Sequence, residues 1–262
     1  MGILNLTPDS FSDGGSFATA EKALHHALLM VEEGAQIIDL GGESTRPGSE
    51  PVSEEEELAR VLPVLEKLPT DQFVISIDTT KPTVAQAALQ AGAHLINDVS
   101  GGNPELLDLA QRYRAGFVLM HAQGCPKNMQ DKPEYHDVVE EVRSFFEIKK
   151  KDLAKRDLPR LWIDPGIGFG KSLEHNLDLM RNLSVFNDQA WGLLLGSSRK
   201  SWIDKLCNAP DPADRLGGSL ASAVCSVSHG AEIIRVHDVK ETAQALQVAK
   251  KLALSLHSRY ND

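Results

Sequence analysis

Leu161-Trp162-Ile163-Asp164-Pro165-Gly166-Ile167-Gly168-Phe169-Gly170-Lys171 is an apolar run that ends in one carboxylate and breaks into a Pro/Gly-rich turn. The run reads as a strand, the turn lifts the backbone out of regular structure, and a helix is expected to open near Ser172. Asp164 therefore sits at a strand tip. Three glycines beyond it allow close approach of backbone to a ligand, and the carboxylate can accept hydrogen bonds from a flat, donor-rich molecule. A tight turn with a capping Asp fits the segment equally well. What favours the ligand is recurrence of the same design along the chain.

Gly2–Asn5, Gln36–Asp39, Phe73–Asp78, His94–Asn97, Phe117–His121, Leu161–Asp164, Trp191–Gly196 and Glu232–His237 are eight short runs rich in Ile, Leu and Val, most of them ending in one polar residue. Near-continuous apolar runs suit strands covered on both faces, as in a parallel sheet. Between them lie stretches with helical period. Ala20–Glu33 places Leu24, Ala27, Leu28 and Val31 on one face. Ser53-Glu54-Glu55-Glu56 has the form of a capping box for a helix running to about Lys67, its acids reading as a solvated helix start. Pro82 and Pro104 open the next two helices. Asp137–Arg156, Leu173–Leu183, Arg215–His229 and Val239–Leu256 follow. Eight strands alternating with eight helices match a (β/α)8 TIM barrel of roughly 250 residues, with a doubly wound open sheet as the alternative. No linker or composition shift divides 1–262, so a single α/β domain is expected.

The chain of 262 residues carries a net charge of −10, which disfavours nucleic acid or an anionic membrane as its main partner. No apolar run is long enough for a membrane span and no signal peptide is evident. Cys125, Cys207 and Cys225 lack a CxxC pair and fit reduced thiols of a cytoplasmic protein.

In a barrel the strand tips converge at the C-terminal face. Asn5, Asp39, Asp78, Asn97, His121, Asp164 and His237 would meet there, with Lys200 just past strand seven and Arg235 inside strand eight. Asp78, Asn97 and Asp164 together with Lys200 suit an amino-substituted heterocycle. Arg235 and His237 flank Val236 and so share a face, which with Asn5 makes a phosphate or pyrophosphate site; an ion pair of Arg235 with Asp238 is the bland alternative. Thr7–Gly15 and Gly41–Gly48 are glycine-flanked loops of the kind that act as lids. Lys200 follows Arg199 in a polar loop, where burial is not expected to lower its pKa, and this argues against a Schiff-base role.

Met1–Gly15, Gly41–Gly48, Ile77–Pro82, Asn97–Asp98, Leu119–Gln130, Asp164–Lys171, Ser198–Ser201 and Arg235–Thr242 resemble, in order, the motifs of bacterial dihydropteroate synthase. The likeness covers essentially the whole chain, although members of that family usually have a lead-in segment before the first strand. It implies a barrel that joins 6-hydroxymethyl-7,8-dihydropterin pyrophosphate to 4-aminobenzoate, with sulfonamides as competitive inhibitors. By motif position, Asp78, Asn97, Asp164 and Lys200 would hold the pterin, with Met120 and Phe169 lining it and Arg235 stacking on it. Asn5, Thr45, Arg46, Arg235 and His237 would hold the pyrophosphate, with Mg²⁺ at Asn5. Phe11, Pro47, Lys200 and Ser201 would enclose the aminobenzoate, and Asp13 would lie near the reacting carbon. The resemblance also implies a homodimer. A methyltetrahydrofolate:corrinoid methyltransferase-like barrel would share the pterin residues without the lids, and a non-catalytic pterin-binding relative would keep only the ring site.

Overall fold

The computed structural model describes residues 1–7, 16–44, 48–124, 129–187 and 190–252. Among them the strands are β1 (Gly2–Asn5), β2 (Ile37–Gly41), β3 (Val74–Asp78), β4 (Leu95–Asp98), β5 (Gly116–Met120), β6 (Leu161–Asp164), β7 (Gly192–Leu195) and β8 (Ile233–Ile234). All pair in parallel in sequence order. Gly2 bridges Val236, and Ile3 N–H donates to Val236 O at 3.0 Å, so β1 meets the chain leaving β8 and the sheet curls into a barrel.

The helices are α1 (Ser16–Glu32), α2 (Glu54–Leu65), α3 (Pro82–Gln90), α4 (Pro104–Tyr113), α5 (Val138–Leu153), α6 (Leu173–Arg181), α7 (Ser201–Cys207), α8 (Leu216–Ser228) and α9 (Val239–Lys251). Their starts follow local chemistry. Ser53, Asn103 and Asp137 cap α2, α4 and α5 through side-chain oxygens, and Ser172 and His175 form a reciprocal capping box at α6. At α2 only half of the expected box forms: Ser53 accepts from Glu56 N–H at 3.2 Å, while the Glu56 carboxylate turns to Arg60.

Three expectations need correction. The polar stretch after β7 is not a loop throughout, because Lys200 N-caps the extra helix α7. The eighth strand is two residues long, so Arg235 lies just beyond it. The acidic start of α2 is not wholly solvated, since Glu57 is 1% exposed.

The barrel interior is layered. Leu95, Val118, Leu194 and Ile233 form a buried cluster of their own, with Met1, Ile37 and Trp162 packed on it. Side chains two residues apart on a strand share a face. Two steps on from these interior positions come Ile3, Asp39, Asn97, Met120, Asp164, Gly196 and Arg235, four of the seven polar. The lower layer is therefore apolar and the upper layer mostly polar. A second, larger cluster, including Leu40, Ile77, Ile96 and Leu119, fills the space between strands and helices; each such side chain contributes about 1.5–3 kcal/mol on burial.

Candidate active site

The polar layer is one network. Asp39, wholly buried inside β2, accepts from Arg235 Nε at 2.6 Å and from Asn97 Nδ2 at 3.0 Å. Arg235 also donates to Asp78 at 2.7 Å. Arg235 thus pairs with Asp39 and Asp78, not with Asp238, whose carboxylate is taken by Arg199. Asp39 has a role that the strand-tip reading had not assigned. Its signal was a carboxylate in the middle of an apolar run, at a position facing the barrel interior.

One oxygen each of Asp39 and Asp78 is buried without a partner. A buried unpartnered acceptor is costly, so Asp78 Oδ1, at the top of β3, is a ready acceptor for N–H groups of a ligand. Burial pushes the Asp78 carboxyl well up, against the pull of Arg235. Asp164 is also raised by burial, opposed by Lys200, by the Gly166 N–H that donates to it at 2.8 Å, and by Lys171 and Arg235. An ideal Cβ on Gly196 would lie 3.8 Å from Arg235 and 3.9 Å from Asp164, so this glycine keeps the space between them open.

Lys200 corrects the sequence reading. It is half-buried, its ammonium donates to Ile167 O and lies 4.5 Å from the Phe169 ring centroid, and burial lowers its pKa to about 8 despite Asp164 nearby. Burial opposes the Arg235 cation, but Asp39, Asp78 and Asp164 outweigh it and raise the pKa overall. Met120, buried at the end of β5, pairs in register with Asp164.

His237 Nδ1 is 3.1 Å from Ser198 Oγ, which also accepts from His237 N–H at 3.2 Å. Arg199 carries φ 56°, a left-handed conformation uncommon for a residue other than glycine, and three bonds hold it there. Its N–H donates to Ser219, its carbonyl accepts from Arg215, and its guanidinium binds Asp238. That kink sets Lys200 and Ser201 at the start of α7, beside the His237 turn.

Asn5 ends β1 next to Gly41. Among the described residues no three His, Cys, Asp or Glu side chains group as a metal site. The Asn5 side-chain oxygen is a hard donor of the kind Mg²⁺ accepts, and water and phosphate oxygens would have to supply the rest of its shell. Phe11, Asp13, Thr45, Arg46 and Pro47 lie outside the described residues.

A profile of the pterin binding enzyme family matches residues 1–237. Dihydropteroate synthase of Escherichia coli strain K12 is 49% identical over 265 residues, with 99% of this chain and 94% of that protein covered. The Yersinia pestis dihydropteroate synthase in a sulfonamide drug complex superposes with a TM-score of 0.88 at 47% identity, covering 96% of this chain and 93% of that one. The Thermus thermophilus dihydropteroate synthase in complex with 6HMPPP gives a TM-score of 0.83 at 42% identity, covering 96% and 93%.

Proposed function

This chain belongs to the dihydropteroate synthase family, and from that premise we propose that it condenses 6-hydroxymethyl-7,8-dihydropterin pyrophosphate with 4-aminobenzoate, releasing 7,8-dihydropteroate and pyrophosphate. The observation that carries the reading is the buried polar layer, in which Asp78, Asn97 and Asp164 meet Lys200 and Arg235 above an apolar floor. The buried acceptors of Asp78 and Asp164 suit the N–H groups of the pterin, and the Lys200 ammonium suits its carbonyl or ring nitrogen. Met120 and Phe169 supply apolar walls, and the Arg235 guanidinium offers a planar face for stacking.

The pyrophosphate is assigned to Asn5, Arg235 and His237 at the adjoining strand ends, with Thr45 and Arg46 from the second loop. When bound at Asn5, Mg²⁺ would neutralise charge on the departing pyrophosphate. The reaction is read as dissociative. Arg235, His237 and Arg46 would stabilise the leaving group as the carbon–oxygen bond breaks; the resulting pterin methylene cation, which the resemblance puts near Asp13, would be captured by the neutral aryl amine, whose surplus N–H proton passes to the departing pyrophosphate or to solvent. No protein nucleophile takes part. Phe11, Pro47, Lys200 and Ser201 would enclose the aminobenzoate, where sulfonamides would compete, as the sulfonamide complex of the Yersinia pestis relative supports. The unbroken strand order of the described residues supports reading the chain as one domain, and a cytoplasmic homodimer is what the resemblance implies.

The test follows dihydropteroate and pyrophosphate with the pterin pyrophosphate and Mg²⁺, with and without 4-aminobenzoate. Product that requires the aminobenzoate, with an apparent KM for it raised by a sulfonamide, is the expected result. Pterin binding with no condensation would favour the non-catalytic relative instead.

A further inference from the structure

Lys171 closes the glycine turn after β6 and would ordinarily be a surface lysine. It is instead 2% exposed. Its ammonium donates to Phe169 O at 3.0 Å, lies 3.1 Å from His121 Nδ1, and reaches His121 O at 3.4 Å. The Tyr135 ring lies 5.9 Å from the ammonium, and Tyr135 Oη donates to Gly170 O at 3.1 Å. A buried ammonium is expensive unless its donors are met, and here the acceptors come from two different loops.

Those loops are pressed together. A Cβ on Gly166 would stand 1.9 Å from His121 O, and one on Gly170 would stand 2.2 Å from Gln123 O, both at positive φ where glycine is favoured. The carbonyl oxygens of His121 and Phe169 therefore converge on the Lys171 amine, which donates to both while burial lowers its pKa to about 7. Two groups of the pterin site hang on this contact: Asp164 starts the turn, and the Phe169 ring packs against Lys200. His121 must be neutral to accept, which agrees with its pKa lowered to about 3 by burial and by Lys171 itself.

Resting on the pterin reading above, we infer that Lys171 and His121 form a positioning pair that locks the turn after β6 onto the loop after β5 and so shapes the pterin pocket without touching the substrate. The aminobenzoate side shares Lys200 with this turn but takes Phe11, Pro47 and Ser201 from other loops, so it depends on the contact less than the pterin side does.

The experiment measures calorimetric binding of 6-hydroxymethyl-7,8-dihydropterin pyrophosphate with Mg²⁺, together with the aminobenzoate KM at saturating pterin. The variants are Lys171→Met, His121→Ala, His121→Asn and the Lys171→Met/His121→Ala double. Loss of all three Lys171 bonds predicts about tenfold weaker pterin binding for Lys171→Met, a smaller loss for His121→Ala, which keeps the two carbonyl bonds, and no loss in the double variant beyond that of Lys171→Met. The aminobenzoate KM rises by less than the loss of pterin affinity, because that side shares only Lys200 with this turn. His121→Asn, which keeps an acceptor near the Nδ1 position, recovers most of the affinity. Should Lys171→Met fail to fold, the two His121 variants decide alone. Native affinity in His121→Ala, additive losses in the double variant, or equal loss on both substrate sides would overturn the inference. Failure of the native chain to bind the pterin would overturn the functional reading, and this inference with it.

Discussion

Lys200 sets the pH response of the site. Its pKa, lowered from 10.5 to about 8 chiefly by burial, makes the donor form drain away as pH rises through 8. The kcat/KM for the pterin substrate, which reports the free enzyme, is predicted to fall above about pH 8, and Lys200→Gln to lack that limb. The stability contribution runs the other way. Between pH 8 and 10.5 the unfolded lysine holds its proton while the folded one has released it, so this group favours folding increasingly as pH rises through that window. Binding loss in step with unfolding would contradict the assignment. His121 shows the same logic at acid pH. Lowered from 6.5 to about 3, it leaves its stability contribution intact above 6.5 and removes it as pH falls toward 3.

At the scale of elements, α2 is tied to the loops after β2 and β3 by a triad in which Glu57 is buried and Lys81 and Glu43 are half-buried. Lys81 Nζ lies 2.5 Å from both Glu43 and Glu57, and Glu43 also accepts from Val52 N–H at 2.9 Å. Arg60 donates to Gly42 O at 2.6 Å, and a Cβ on Gly42 would come within 2.8 Å of Glu57 Cγ. Removing the lysine strands the buried Glu57 carboxylate beside a half-buried Glu43, so Lys81→Met should cost about 1–3 kcal/mol in urea unfolding, and Lys81→Met/Glu57→Met should regain part of it. A neutral single variant would show the triad to be inert. The sequence did carry a sign of this. Glu57, Val61, Val64 and Leu65 lie on one helical stripe, so Glu57 belongs to the buried face although the run Glu54–Glu57 looks solvated. Strand positions were legible because the apolar runs were short and most were closed by a polar residue. Helix α7 was not, because Ser201–Cys207 is too short to display a period and depends on the Arg199 kink.

For the whole molecule, barrel closure turns a list of scattered tips into a site. Asp78, Asn97, Asp164 and Lys200 could be named from the sequence because each falls at or just past a strand end, and Arg235 because it shares a strand face with His237. Asp39 and Lys171 were harder, since their roles exist only through partners 196 and 50 residues away in the chain. No helix among the described residues is long and apolar enough to cross a membrane, in keeping with the absence of an apolar run of that length. The claim on which everything else rests is that the inward-facing polar layer binds the pterin. Its most direct measurement is calorimetric titration of 6-hydroxymethyl-7,8-dihydropterin pyrophosphate into the native chain and into Asp164→Asn, with thermal melts of both. The isosteric amide loses the charge-assisted acceptor, so at least about tenfold weaker binding is predicted with an unchanged fold. Native affinity in a folded Asp164→Asn would contradict the account.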